Sequence, residues 1–402
     1  MLEQADRLQG VRYDIRGPVL RRARQIEAAG HPVLKLNLGN PAPFGLVAPE
    51  AVVDEVARGL ADAQGYSDAR GILPAREAVA SYYAAAGVTG VGADDVYLGN
   101  GVSELIVMAL QALLDPGDEV LIPSPDYPLW TAAATMSGGR PVHYSCDEAA
   151  GWQPDLEHVA ASVSARTKAL VIINPNNPTG AVYSRQTVLG LLEIARRHRL
   201  LVLSDEIYDQ IRYDGAVHEC AAALAPDVLV LTLGGLSKTY RLAGLRAGWL
   251  VVSGPRGEAS DYLDGLELLA NMRLCPSVPG QQAIAAALTG REGIADLLLP
   301  GGRLREQRDF AWRKMTAIPG VDCVLPSGAL YLFPRLDPDR YKIADDERLV
   351  MDLLEQQHLL LSHGSGFNLP TTDHLRLVFL ASVDILDDAI GRLARFLEGY
   401  QQ

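Results

Sequence analysis

Carbonyl chemistry needs a neutral amine, and the stretch LTLGGLSKTYRLAGLRAGWL places Lys238 where one could form. The lysine follows an apolar run and sits among small residues, so a partly dry pocket is expected around it. Desolvation and neighbouring positive charge lower a lysine's pKa and expose the amine that attacks a carbonyl. Eight residues on, Arg246 opens the next apolar run, and its planar, always-charged fork of donors suits a phosphate. Either residue alone reads as ordinary surface. The spacing, with glycines between, carries the weight.

Other stretches offer matching partners. In LVLSDEIYDQI, Asp205 closes an apolar run, where a carboxylate is costly unless a cation or donor meets it; a cap for a following helix is the alternative. Tyr208 comes three residues later and would face the same way on a helical turn. GNGVSELIVMAL sets glycines before an apolar helix, so the amides of Val102 and Ser103 could point at an anion, or Ser103 could simply cap the helix. INPNNPTG brings Asn177 in a turn-rich loop. PSPDYPLW offers the flat face of Tyr127 to an aromatic ligand, or to plain packing.

These residues need elements to hold them. Strand candidates run at Asp95–Leu98, Glu119–Pro123, Pro141–Cys146, Ala169–Ile173, Leu201–Ser204, Val228–Leu233 and Ala247–Val252, with helices such as Ser103–Leu114 and Arg185–His198 between them. Near-continuous apolar strands with helical crossovers predict an α/β layered fold with a largely parallel sheet. In such sheets ligands bind beyond the carboxyl ends of the strands, where Asn100, Tyr127, Asn177, Asp205 and Lys238 fall. The C-terminal part reads as α+β: a helix over Gly302–Ile318, strands around Ala329–Phe333 and Leu375–Leu380, and a last helix over Asp384–Leu397. An N-terminal helix (Pro18–Ala29) and short extended piece (Val33–Leu38) are too little to fold alone and are expected to pack on that unit. The expected division is 1–44 for the arm and part of a small domain, 45–295 for a large domain, and 296–402 for the rest of the small one.

Composition narrows the classes. The chain has 402 residues, 48 % hydrophobic and 21 % charged, as in ordinary folded proteins. Its 36 basic and 49 acidic residues give a net charge of −13, against a nucleic-acid footprint. No membrane span or leader pattern is apparent, so a soluble, cytoplasmic protein is expected. The four cysteines are far apart, without a CxxC pair, and read as reduced thiols. The eight histidines form no HExxH or Cys/His cluster, so no metal is expected.

Taken together, NPNNPTG, SDEIYD and SKTYRLAGLRAGW resemble the class I/II aminotransferases of pyridoxal-phosphate (PLP) fold type I. The likeness runs nearly end to end, through YDIRGPVL, LNLGNPAPFG, GYSDARGILPAREAV, GNGVSEL, SGALYLFP and HLRLVFL, and YDIRGPVL and DYPLWTAA are similar to the bacterial glutamate–pyruvate (alanine) group. The resemblance implies a large domain with a mostly parallel sheet of the seven-stranded type, a smaller α+β domain, PLP as cofactor, and a homodimer with shared active sites. It makes Lys238 the Schiff-base lysine, with Asp205 on the pyridine nitrogen, Asn177 and Tyr208 on the ring oxygen and Tyr127 stacked on the ring. It gives the phosphate to Arg246, Ser237 and the Val102 and Ser103 amides, with Tyr66 reaching in from a second subunit. Arg376 would grip the substrate α-carboxylate, with Gly39, Asn177, Tyr13 and Arg16 also on the substrate side. One departure stands out: Gly235 occupies the position, three before the lysine, where many relatives carry a serine.

The expected reaction is a ping-pong exchange, L-alanine and 2-oxoglutarate giving pyruvate and L-glutamate. Lys238 moves the α-proton and Arg376 orients both substrates. A mobile arginine, Arg16 or a partner's counterpart of Arg273, would answer the side-chain carboxylate of glutamate. Aspartate or aromatic aminotransferases and PLP-dependent C–S lyases share the motifs around Lys238 and remain alternatives. A ligand-sensing regulator with an aminotransferase-like domain is a further one, disfavoured by the intact lysine, aspartate and two arginines.

Overall fold

The computed structural model describes residues 2–9, 11, 13, 17–290 and 293–402. Numbered from the N-terminus, its first nine strands are β1 (Leu34–Lys35), β2 (Val96–Asn100), β3 (Glu119–Ser124), β4 (Arg140–Asp147), β5 (Gln153–Pro154), β6 (Thr167–Ile173), β7 (Leu201–Asp205), β8 (Val230–Gly235) and β9 (Ala247–Ser253). All but β1 join one sheet in the order β2-β9-β8-β7-β6-β3-β4-β5. The seven expected strands are all there, and the two-residue β5 adds an eighth at the edge, antiparallel to β4. The run β8-β7-β6-β3-β4 is parallel. β9 runs antiparallel to both of its neighbours. Residues 236–246, which link β8 to β9, hold only one 3-10 turn; a parallel crossover needs a dozen or more residues, so the chain turns straight back.

Alternate residues of the parallel strands feed opposite faces. Leu121, Leu170, Ile172 and Val202 pack on one side, and Val120, Ile122, Ala169, Val171 and Leu203 on the other. Burial on both faces explains the near-continuous apolar runs. Helices cover both: Val102–Leu113 on one, Leu73–Ala85 and Arg185–His198 on the other.

The C-terminal part has its own core, built on the helices Arg303–Thr316, Asp346–Gln357 and Val383–Leu397. Val19, Ala23 and Ile26 of the helix Pro18–Ala28 join it. Of the expected extended piece Val33–Leu38, only β1 is a strand, and it pairs in parallel with Leu359–Leu360. Strand Leu375–Val378 lies between Tyr331–Leu332 and Ser362–His363, antiparallel to both. All four cysteines are free. Among the described residues no helix is long and apolar enough to cross a membrane, and no group of three or more His, Cys, Asp or Glu could hold a metal.

Candidate active site

A cavity of about 700 Å³ opens at the carboxyl ends of the parallel strands. It is lined by Gly39, Val102, Ser103, Tyr127, Asn177, Asp205, Tyr208, Ser237, Lys238, Arg246, Arg376 and Tyr13, so twelve of the fourteen expected residues meet there. Tyr66 does not line it and is 82 % exposed. Arg16 lies outside the described residues. The chain's own Arg273 is committed elsewhere, to Glu104 and to the carbonyls of Ala69 (3.0 Å) and Leu98 (2.6 Å).

Strand ends and the turns that follow set the floor. Asp205 is the last residue of β7, and no helix follows for it to cap. Its Oδ2 accepts from Trp130 Nε1 at 3.2 Å and its Oδ1 from the Ile207 amide at 3.3 Å. Burial pushes its pKa up to about 6, opposed by these two donors and by the charge of Lys238. Lys238 stands three residues beyond β8 and donates from Nζ to the Gly39 carbonyl at 2.7 Å. Trp130, fully buried on the helix Leu129–Met136, is a site residue that the sequence reading missed.

One end of the cavity gathers groups suited to an anion. Gly101, not Ser103, is the N-cap of the helix Val102–Leu113, and no side chain caps it. The first-turn amides thus face the cavity beside Ser237 and Arg246, where unpaired N–H groups and the helix dipole favour negative charge. Gly101 has φ +82°, and a side chain there would strike the Arg246 guanidinium. At Gly248 a Cβ would come within 2.7 Å of the Val102 nitrogen. Two glycines therefore let β9 and the helix start approach. Arg246 holds its place through Ala243 O (3.0 Å) and Asn100 O (3.2 Å).

The opposite wall comes from the C-terminal part. Arg376 is 2 % exposed and lies between the rings of Tyr331 (4.5 Å) and Phe367 (4.4 Å). It donates to Asn177 Oδ1 at 2.9 Å and to the Asn37 carbonyl. Its Nε is buried with no partner among the described residues, a donor awaiting an acceptor. Burial lowers the guanidinium pKa, resisted by the surrounding tyrosines. The hydroxyls of Tyr208 and Tyr331 are hydrogen-bonded, and burial raises the Tyr208 pKa well above the usual phenol value. Tyr13 reaches the Tyr127 hydroxyl at 3.0 Å. Tyr331 is the second residue that the sequence reading left out.

A doubly wound sheet with a lysine at the mouth of its central strands and a smaller α+β part closing over it is the architecture of the fold type I PLP enzymes. The chain belongs to the aminotransferase class I and II family, whose model matches residues 31–393. It is 58 % identical over 400 residues to the alanine aminotransferase of Mycobacterium tuberculosis, covering 99 % of this chain and 93 % of that one. It is 53 % identical over 401 residues to the glutamate-pyruvate aminotransferase AlaA of Escherichia coli K12, covering 100 % and 99 %. Among solved structures it matches an Escherichia coli aminotransferase with a TM-score of 0.99 at 53 % identity, over the full length of both chains.

Proposed function

We propose that this aminotransferase is PLP-dependent and exchanges an amino group between L-alanine and 2-oxoglutarate, giving pyruvate and L-glutamate. The observation that carries the reading is the partition of one cavity: an uncapped helix start with Arg246 at one side, an unpaired donor of the buried Arg376 at the other, and Lys238 lining the same space. The names of the two relatives support the substrate pair.

The donor set fits PLP. The Val102 and Ser103 amides, Ser237 and Arg246 would hold its phosphate, with Tyr66 added by the partner of a homodimer. A Ser237 hydroxyl remains even though Gly235 supplies none. Asp205 would hold the ring nitrogen in its protonated form, Asn177 and Tyr208 the ring oxygen, and Tyr127 the ring face. Asn177 can serve both sides, because its oxygen is taken by Arg376 and its amide hydrogens are left for the cofactor. When bound, PLP supplies an electron-poor ring that takes up the electron pair released at the substrate α-carbon.

The chain's own residues do the rest. Arg376, already locked by Asn37 and Asn177, binds the α-carboxylate and orients the α-carbon. Lys238 Nζ would take up the proton of the substrate α-carbon and, for the second substrate, deliver one to the same position. The Gly39 carbonyl tethers the ammonium form between transfers. An arginine, either Arg16 or a partner's counterpart of Arg273, would meet the side-chain carboxylate of glutamate.

Absorption spectra of the purified protein, taken with alanine and then 2-oxoglutarate, test this. Loss of the visible band with alanine and its return with 2-oxoglutarate is the expected cycle. A band that alanine leaves untouched overturns the substrate assignment; no band after adding PLP overturns the cofactor.

A further inference from the structure

We infer that Tyr331 is a positioning residue that aims the Tyr208 hydroxyl and supports the Arg376 guanidinium, joining the cofactor-oxygen and substrate-carboxylate ends of the site through one ring. The inference rests on the PLP reading above.

Three contacts meet on this side chain, which is 2 % exposed. Strand Tyr331–Leu332 runs antiparallel to Leu375–Val378, with Tyr331 opposite Val378 and Leu332 opposite Leu377. That register brings the ring beneath Arg376, 4.5 Å from its guanidinium carbon. The hydroxyl reaches Tyr208, whose ring lies 5.8 Å away at 80°. The third contact is Gly39: a Cβ there would stand 2.5 Å from the Tyr331 oxygen. The absence of a side chain at Gly39 is what leaves room for this hydroxyl, and the same glycine's carbonyl receives Lys238 Nζ.

Hydrogen counting gives the pair its direction. Each hydroxyl has one hydrogen and can also accept. Among the described residues the two hydroxyls are each other's only hydrogen-bond partners. If Tyr331 donates, the Tyr208 oxygen is occupied as acceptor and its own hydrogen is free for an acceptor inside the cavity. That acceptor is the ring oxygen of PLP. Burial keeps Tyr208 protonated and so a donor. The aromatic face under Arg376 adds a cation–π contact that does not need the hydroxyl. The two roles are therefore separable by substitution.

The test is a double-mutant cycle on the holoenzyme with Tyr331→Phe, Tyr208→Phe and both together. The readouts are the pH midpoint of the visible band of bound PLP and the PLP dissociation constant. Losing a donor to an anionic ring oxygen should raise the midpoint, so Tyr331→Phe should raise it by about 0.5–1 pH unit, a threefold to tenfold change in proton affinity, the scale of one net hydrogen bond. In the Tyr208→Phe background the same substitution should add nothing. Tyr331→Leu, which also removes the ring, should raise KM for alanine and 2-oxoglutarate about tenfold, and more than Tyr331→Phe does. An unmoved midpoint in Tyr331→Phe, or additive shifts in the double variant, overturns the aiming role. Equal KM values in the Phe and Leu variants overturn the support of Arg376. If the wild-type protein shows no band with PLP, the functional reading itself fails, and the two failures stay distinct.

Discussion

At Asp205, stability and ligand binding pull in opposite directions, and the conflict can be measured. The carboxylate is 3 % exposed, and burial lifts its pKa from 3.8 to about 6. A rise of about two units corresponds to about 3 kcal/mol. Because the folded value is the higher one, folded chain holds this proton more tightly than unfolded chain. The contribution favours folding below about pH 4 and is lost as pH climbs through about 6, so the cofactor-free protein at pH 8 keeps a buried charge at a cost of about 3 kcal/mol. Asp205→Asn removes that charge. Its amide oxygen can still accept from Trp130, but the Ile207 N–H loses an acceptor, a loss of about 1–3 kcal/mol. At pH 8 the cofactor-free variant should therefore be more stable than wild type by about 1 kcal/mol, and at pH 4 less stable by about 2 kcal/mol. The swing between the two pH values, about 3 kcal/mol, does not depend on the amide's bonds. Urea unfolding of both proteins at both pH values reads it directly. Adding PLP at pH 8 should stabilise wild type more than the variant, since ligand stabilisation grows with affinity and the variant lacks the carboxylate proposed to hold the ring nitrogen. If the relative stability of the two chains is the same at both pH values, Asp205 does not carry the buried charge assigned to it.

Two further predictions follow from neighbouring contacts. Trp130→Phe deletes the 3.2 Å bond to Asp205, worth about 1.5 kcal/mol for a charged acceptor; PLP binding at pH 8 should weaken about tenfold, with Trp130→His restoring part of it, and equal affinities in all three proteins would refute the role. His374, 3 % exposed, lies 2.8 Å from Asp373 and 3.5 Å from Glu148; burial works to lower its pKa, but the two carboxylates prevail and raise it. Its stabilising contribution is then fully present below about pH 6.5 and lost as pH rises through the folded value, so His374→Gln should destabilise the protein more at pH 6 than at pH 9 by chemical denaturation, and an equal loss at both would count against a charged His374.

Much of the site was legible because its residues sit where elements change. Asp205, Lys238 and Arg246 each follow or precede an apolar run, and a polar residue at such an edge is visible without a structure. Strand limits were readable to within two residues because β2, β3, β6 and β7 are buried almost throughout. What escaped are partnerships over long sequence distance. Trp130 and Asp205 are 75 residues apart, Tyr208 and Tyr331 123, and each of the missed residues reads by itself as core. Ser103 looked like the cap, but Gly101 takes that place, because the left-handed turn and the nearness of Arg246 exclude a side chain. Val33–Leu38 alternates like a strand yet pairs over only two residues, since a strand's length is set by the partner it meets. Arg273 offered no local sign that Glu104 would claim it.

The short N-terminal stretch that closes the site also says when the site can exist. The carbonyls of Asn37 and Gly39 hold Arg376 and Lys238, and β1 lies along Leu359–Leu360. During synthesis these early residues emerge long before their partners. At about 5–20 residues per second the wait is roughly 10–40 s for Lys238 and roughly 20–70 s for Arg376. Meanwhile the large sheet, whose strands are all made by Ser253, can already assemble. Lys238 is thus placed well before Arg376, the residue proposed to present substrate to it, and the proposed site stays incomplete on a ribosome-bound chain until Arg376 has left the tunnel.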